Sequence, residues 1–331
     1  NLDKYNALII AKPEKRFSKL DKYALDQYLM GGGNIFWLID RADISLDSLS
    51  RSSKTYAKLY NLNLNDQLFK YGVRINPNMV KDIQCAVIPV NTSYQQNNPE
   101  FSPTPWVYFP LLSSRNNHPV SRNLNLIRSE FVSSIDTLPA YPGIKKTLLL
   151  SSSKRTKLAQ VPAIVSLREV SKKQDPRTFK EGRQVTGVLL EGTFQSVFKN
   201  RFTDELENQF GKKYKETSSK TKMIVVSDGD IIKNDVSYKA DGKYISPLGY
   251  DKYTRQTYGN KGFIMNSVHY LADKEGLIEI RSKNVTLRLL DKTKIKQERI
   301  KWQVINGLLP VLLIIAFGLI KNIIRKRKYT R

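Results

Sequence analysis

Cysteine is almost missing from this 331-residue chain: Cys85 stands alone, so no internal disulfide can form and no cysteine cluster can hold a metal. Histidine is nearly as scarce, with only His118 and His269. Structural zinc sites take four ligands mostly from these two residue types, so no dedicated zinc site is expected; no metal or cofactor is assigned to the chain. No GxxxxGK followed by Ser or Thr occurs, which leaves ATP hydrolysis to some other chain. The triplet Gly31–Gly33 is no substitute, because it ends a helical pattern, whereas a phosphate loop opens one. Helix-turn-helix, zinc-finger and RNA-recognition signatures are also lacking. The first residue is Asn, and no charged n-region, apolar h-region or cleavage site follows it. The expectation is therefore the C-terminal part of a longer protein whose upstream portion carries the targeting helix.

Acidic residues are in short supply as well: 30 against 55 basic ones, a net charge of +25. Such an excess suits nucleic acid or an anionic lipid surface. Its distribution argues against specific nucleic-acid recognition. Residues 292–331 hold eleven basic residues and one acidic, leaving 44 basic against 29 acidic spread thinly over the rest.

What the chain does have is one long apolar run near its end, Trp302 to Ile320, nineteen residues without a formal charge. At about 1.5 Å per helical residue it reaches roughly 28 Å, close to the hydrocarbon thickness of a bilayer. Trp302 suits the headgroup boundary, Pro310 is tolerated in a spanning helix, and Phe317 adds to the apolar surface. Lys321 and then Arg325, Lys326, Arg327, Lys328 and Arg331 close it without an acid. Six cations after the run against five in 292–301 lean towards a cytoplasmic C-terminus, with residues 1 to about 290 outside. The expected organisation is an extracytoplasmic domain over 1–290, a basic juxtamembrane segment over 291–301, a transmembrane helix over 302–320 and a basic cytoplasmic tail over 321–331.

Within the body, Tyr5 to Ala11 reads as a buried strand and Ser18 caps a helix through Met30. Asn34 to Ile39 is a second strand. Strand, helix, strand within forty residues is a βαβ unit, which places the two strands parallel in one sheet. Residues 61–71 repeat the helical pattern, leading to a strand over Ile83 to Val90. Residues 91–110, rich in Asn, Gln and Pro, read as a loop that returns into a strand near Trp106 to Leu112. Further strands are expected at 131–135, 146–150, 163–167 and 185–190, the last breaking at Glu191 and Gly192. A β-rich lobe over about 91–215 is the expected insertion. Residues 203–221 read as an exposed excursion, Met223 to Ser227 as a strand, Asn260 to Ala272 as a helix packed on it, and Glu279 to Leu290 as extended chain.

Six phrases taken together carry a resemblance: residues 11–40, VTGVLLEGTFQSVFKNR (185–201), VVSDGDIIKND (225–235), NKGFIMNSVHYLAD (260–273), IRSKNVTLRLLDKTKI (280–295) and the terminal RKRKYTR. In that order and spacing they resemble the GldG family, gliding-motility-associated membrane components of ABC transporters in bacteria of the Bacteroidetes type. The resemblance implies a non-ATPase auxiliary subunit in the bacterial inner membrane, partnered by a separate permease and a separate ATPase, with its large domain in the periplasm. It also implies a class I glutamine-amidotransferase-like, flavodoxin-like α/β fold: a mostly parallel sheet with helices on both faces.

Catalytic residues are not expected. A thiol enzyme on such a fold would place its cysteine on a strained strand-to-helix elbow among small residues, whereas Cys85 sits in IQCAVIPV and reads as a core residue. The better candidates for chemistry are Asp228, Asp230 and Asp235, with Glu191 beside them in standing. Carboxylates just past a strand suit a calcium or magnesium ion. The same residues suit an Asp-Gly turn with Asp230 capping backbone, and the frequency of such turns makes this the preferred reading. Two other function classes stay open: an amidotransferase-like or hydrolase-like enzyme, and a basic protein that binds nucleic acid or anionic lipid.

Overall fold

The structure is a computed structural model that describes residues 2–91, 101–114, 116–139, 143–170, 172, 174–201, 203–211, 213–239, 242–273 and 292–329. The chain divides into a body, Asn1–Ser282, and a second unit, Lys283–Arg331.

The body opens with β1 (Ala7–Ala11), α1 (Lys19–Met30) and β2 (Asn34–Leu38). Ser18 and Asp21 form a reciprocal capping box that satisfies the first free N–H groups of α1. Helix α1 ends at Gly31, and Gly32 follows in the left-handed region at φ 100°. Strands β1 and β2 pair in parallel, Ala11 opposite Leu38, as the βαβ reading expects.

After β3 (Ala42–Asp43) the chain builds α2 (Leu46–Arg51), β4 (Lys54–Leu59), α3 (Asn65–Tyr71), β5 (Val73–Ile75), β6 (Asn78–Asp82), β7 (Cys85–Asn91) and β8 (Phe101–Leu112). Short strands β9 (Ile127–Arg128) and β10 (Ile135–Thr137) lead to β11 (Ile144–Ser151), β12 (Thr156–Gln160) and β13 (Ala163–Ser166). The body closes with β14 (Val185–Gln195), α4 (Asp204–Phe210), β15 (Thr217–Val226), the small pairs β16 (Val236–Lys239) with β17 (Gly242–Ile245) and β18 (Tyr250–Asp251) with β19 (Gln256–Thr257), and α5 (Asn260–Ala272).

This is a different fold class from the mostly parallel, flavodoxin-like sheet the resemblance implies. The largest sheet has five strands in the order β1-β2-β15-β14-β11. Only β1 with β2 and β2 with β15 are parallel; β14 runs antiparallel to both β15 and β11. The remaining strands form small antiparallel sheets, and strand (36%) exceeds helix (29%), so the molecule is a mixed α and β structure. The physical reason for the difference is in β14: its run TGVLL is buried on both faces, and such a run looks the same whether its neighbours are parallel or antiparallel. Nor does β14 break at Glu191 and Gly192, for it continues to Gln195.

The expected strand over 83–90 pairs with β8 and stays out of the large sheet. Strand β8 itself begins at Phe101, well inside the segment read as loop. Its prolines lack an N–H, and Pro103 and Pro105 sit at its β7-paired margin, where the N–H groups on the other side need no ladder partner. Residues 131–134 lie in no strand, and β15 starts at Thr217 inside the supposed excursion. Glu279 to Leu290 lies outside the described residues.

One apolar cluster joins Leu25, Leu29 and Tyr71 of the helices to Ile35, Trp37 and Val225 of the sheet. A second joins Phe36, Leu38 and Ile224, on the opposite side chains of the same strands, to Phe263 and Leu271 of α5. A third, around Trp106, Tyr108, Phe109 and Phe131, fills the antiparallel part. The second unit holds α6 (Lys292–Tyr329), a helix with Pro310 inside it.

Candidate functional site

Three parallel strands end side by side: Ala11 of β1 is opposite Leu38 of β2, which is opposite Val226 of β15. The residues just beyond those ends converge on one spot. They are Lys12, Asp40, and the turn Asp228-Gly229-Asp230.

The carboxylates of Asp40, Asp228 and Asp230 lie within 4.8 Å of one another, and all three residues are buried. Every one of their oxygens already faces a donor. Asp228 accepts the backbone N–H of Asp230 at 2.7 Å and that of Glu130 at 2.8 Å. Asp40 accepts the N–H of Gly229 and faces the Lys12 ammonium at 3.3 Å. Asp230 takes Lys12 at 2.7 Å on one oxygen and Lys233 at 3.4 Å on the other. Lys233 also reaches Glu130 at 2.8 Å, and Glu130 meets Arg128 at 3.4 Å.

Electrostatics follow from this geometry. Burial, reinforced by Asp230, pushes the Asp40 carboxyl up to about 6, against the pull of Lys12 and the Gly229 N–H. Burial and the two neighbouring aspartates push Asp228 well above the usual carboxylate range. Burial alone would lower Lys12, yet Asp40 and Asp230 outweigh it and hold the ammonium above the ordinary lysine value. Lys233, likewise opposed by burial, is raised to about 12 by Glu130 and Asp230.

The backbone is built for this contact. Lys12 sits at φ 46°, a region costly for a residue with a Cβ, and its N–H still reaches Leu38 O at 2.8 Å. A Cβ on Gly229 would stand 2.8 Å from the Lys12 Cβ, so only glycine lets the turn close over the lysine.

A divalent ion wants six or more oxygen ligands free to turn to it. Here the Lys12 ammonium stands between Asp40 and Asp230, and Asp228 is committed to two N–H groups. The donor set fits an internal ion-pair latch better than a metal cage. Catalysis is poorly served too, since an ammonium held protonated is neither base nor nucleophile. Lys12 also borders a cleft of about 560 Å³ whose walls include Leu2, Ile10, Phe17 and Arg16.

Of the sequence candidates, the structure brings Asp228 and Asp230 together. Asp235 stays at the half-open margin, 3.7 Å from Arg128. Glu191 is elsewhere, on β14, where it accepts the Tyr270 hydroxyl. Lys12, Asp40, Glu130 and Lys233 were not among the candidates. A signal for the first two existed: each follows an apolar strand of one βαβ unit, as Asp228 follows a third strand. Cys85 lies in β7, half-buried, with its thiol pushed up to about 11 by burial and then by Asp82. The ring of His118 rests 4.8 Å from that of Tyr270, and His269 is exposed on α5.

In the second unit, Trp302–Arg325 is long and apolar enough to cross a membrane, and it is the one such helix among the described residues. Trp302 and Phe317 are exposed on it. Arg325 ends the apolar stretch, and Lys326, Arg327 and Lys328 continue in the helix.

The described residues thus form a mixed α and β body and, in the second unit, one helix long and apolar enough to cross a membrane. The chain belongs to the family described as an ABC-type uncharacterized transport system, an auxiliary family whose model matches residues 1–267. Among solved structures it is similar to one titled "mmIFT52 N-terminal domain", at 14% identity and a TM-score of 0.39, over 83% of this chain and 80% of that one. No curated protein matches it.

Proposed function

We propose that the protein is a non-catalytic, membrane-anchored subunit that couples an ABC permease and a separate ATPase to gliding motility or a linked secretion process. The observation that carries this is the family match over residues 1–267, which covers nearly all of the folded body. The apolar helix Trp302–Arg325 supports anchoring, and the lack of a Walker sequence supports a separate ATPase. The resemblance to gliding-motility components supports the finer reading. In this reading the body lies on the periplasmic side of the inner membrane, and the ion-pair latch keeps its sheet and antiparallel part in one arrangement.

Purification from native membranes in mild detergent tests the partners. A polytopic permease and an ATPase should come down with the protein. Recovery of the protein alone, from an extract in which another ABC complex stays intact, overturns the proposal. Deleting the gene should stop surface spreading while leaving growth unchanged; normal spreading removes the gliding part only.

A thiol hydrolase is the rival reading, and Cys85 is its sole possible thiol nucleophile. The raised thiol and the position within a strand both weigh against it. A Cys85→Ala variant should fold and complement fully, and loss of function with intact folding would revive the enzyme.

A further inference from the structure

At the opposite end of the large sheet from the aspartate latch, next to the Gly31–Gly33 turn, lies a cleft of about 780 Å³. Lys213, Lys215, Lys220 and Lys222 line it, against Asp3 and Asp273. Its basic wall is held in place by buried groups. Gln27, 6% exposed, donates to the carbonyl of Lys215 at 3.1 Å and accepts the Lys215 N–H at 2.7 Å. Gln27 is in turn tied to the fully buried Asp26 at 2.9 Å, which also accepts the Ser196 hydroxyl and the Val197 N–H. The Asn34 side chain accepts the N–H of Lys222 at 2.7 Å, so the opposite margin is fixed as well. At the glycine turn, a Cβ on Gly33 would fall 2.2 Å from the Tyr28 ring, which therefore lies directly over the backbone.

Lys222 is engaged: its ammonium donates to the Tyr270 carbonyl at 3.2 Å and lies 4.1 Å from that ring. Among the described residues, Lys213, Lys215 and Lys220 have no ion-pair partner. Three lysines without an ion-pair partner therefore line one concave space whose margins are fixed by buried hydrogen bonds, an arrangement that favours an anion able to meet more than one of them.

We propose that this cleft is an anion site that receives a phosphate group, carried either by a lipid headgroup or by a soluble phosphorylated compound. A phosphate brings up to about two charges and three acceptor oxygens, enough to face several point-charge donors at once. Lysine lacks the planar fork that favours a lone carboxylate, and it binds phosphate as a point charge. The site owes nothing to the transport reading and stands or falls separately from it.

The test uses the full chain in neutral detergent, titrated calorimetrically with inorganic pyrophosphate at low salt. Saturable binding should appear, and its Kd should rise as ionic strength rises, because the donors are exposed. Lys213→Ala with Lys220→Ala should weaken binding by about tenfold, whereas Lys157→Ala with Lys180→Ala, exposed lysines elsewhere, should leave it unchanged. Thermal melts of both double variants establish that the body is intact. Equal loss in the two, or no saturable binding by the parent, overturns the proposal. Repeating the titration in nanodiscs separates the sources: loss of pyrophosphate binding when phosphatidylglycerol replaces phosphatidylcholine assigns the site to headgroups, and unchanged binding assigns it to soluble phosphates.

Discussion

Asp228 is fully buried, and each of its oxygens accepts a backbone N–H, from Glu130 and from Asp230. Asparagine has one acceptor oxygen, so Asp228→Asn must leave one of those N–H groups facing an NH₂. A buried donor left unmet costs about 1–3 kcal/mol, which urea melts at neutral pH should register as a loss of stability. Unchanged stability would mean that the latch does not hold the fold. Asp40 gives the same cluster a pH signature. Its carboxyl titrates near 6 in the folded chain and at the ordinary value of 3.8 when unfolded, so the native state binds the extra proton between those limits. The Asp40 contribution to stability should therefore fall as pH rises from about 4 through about 6 and level off above, and Asp228, shifted the same way, contributes a loss of the same sign. Lys12, raised in the fold, contributes stability that is constant below its unfolded value and is lost only in strong alkali, outside this window. Melts of Asp40→Asn across pH 4.5–7.5 should show a shallower slope than the parent; an equal slope would place the titration elsewhere.

At the scale of elements, helix α1 was the most legible part of the sequence because its signals are local. Ser18, Asp21 and the glycine stop act within a few residues of the backbone they satisfy. Ser18→Ala should cost about 1 kcal/mol, and Asp21→Ala in that background should cost little more, since the two side chains cap reciprocally. Additive losses in chemical denaturation would show that they act separately. What sequence reading missed is non-local. Whether β14 runs with or against β15 depends on the path through α4, and nothing in TGVLL encodes that path. Prolines at 103 and 105 suggested a loop, yet β8 accommodates them because its pairing there is one-sided. The site shows the same division: the Asp228-Gly229-Asp230 turn could be read from three adjacent residues. Its partner Lys12 is 218 positions away from Asp230 and becomes visible only once β1, β2 and β15 are aligned.

For the whole molecule, the proposal depends on which side of the membrane the body occupies. The helix from Trp302 to Arg325 is long enough to cross once. Of the charges that decide direction, the cluster Arg325 to Arg331 has no acid, whereas Glu298 interrupts the one before the helix. An unbroken cationic tail resists translocation and is drawn to the anionic inner leaflet, and on that ground the proposal puts it in the cytoplasm and the body outside. The two clusters are nearly balanced in Lys and Arg, so exchanging a few of them should matter. A reporter cysteine at Thr178, an exposed position in the body, should react with an impermeant thiol reagent in intact spheroplasts of a Cys85→Ala strain. A reporter at Thr330 should react only after lysis. Changing Arg325, Lys326, Arg327 and Lys328 to Gln removes four of the six cations after the run, and should bring a fraction of the Thr330 reporter within reach of the reagent. The reverse pattern in the parent, with Thr330 labelled and Thr178 protected, would put the body in the cytoplasm and end the periplasmic reading, while leaving the family assignment untouched.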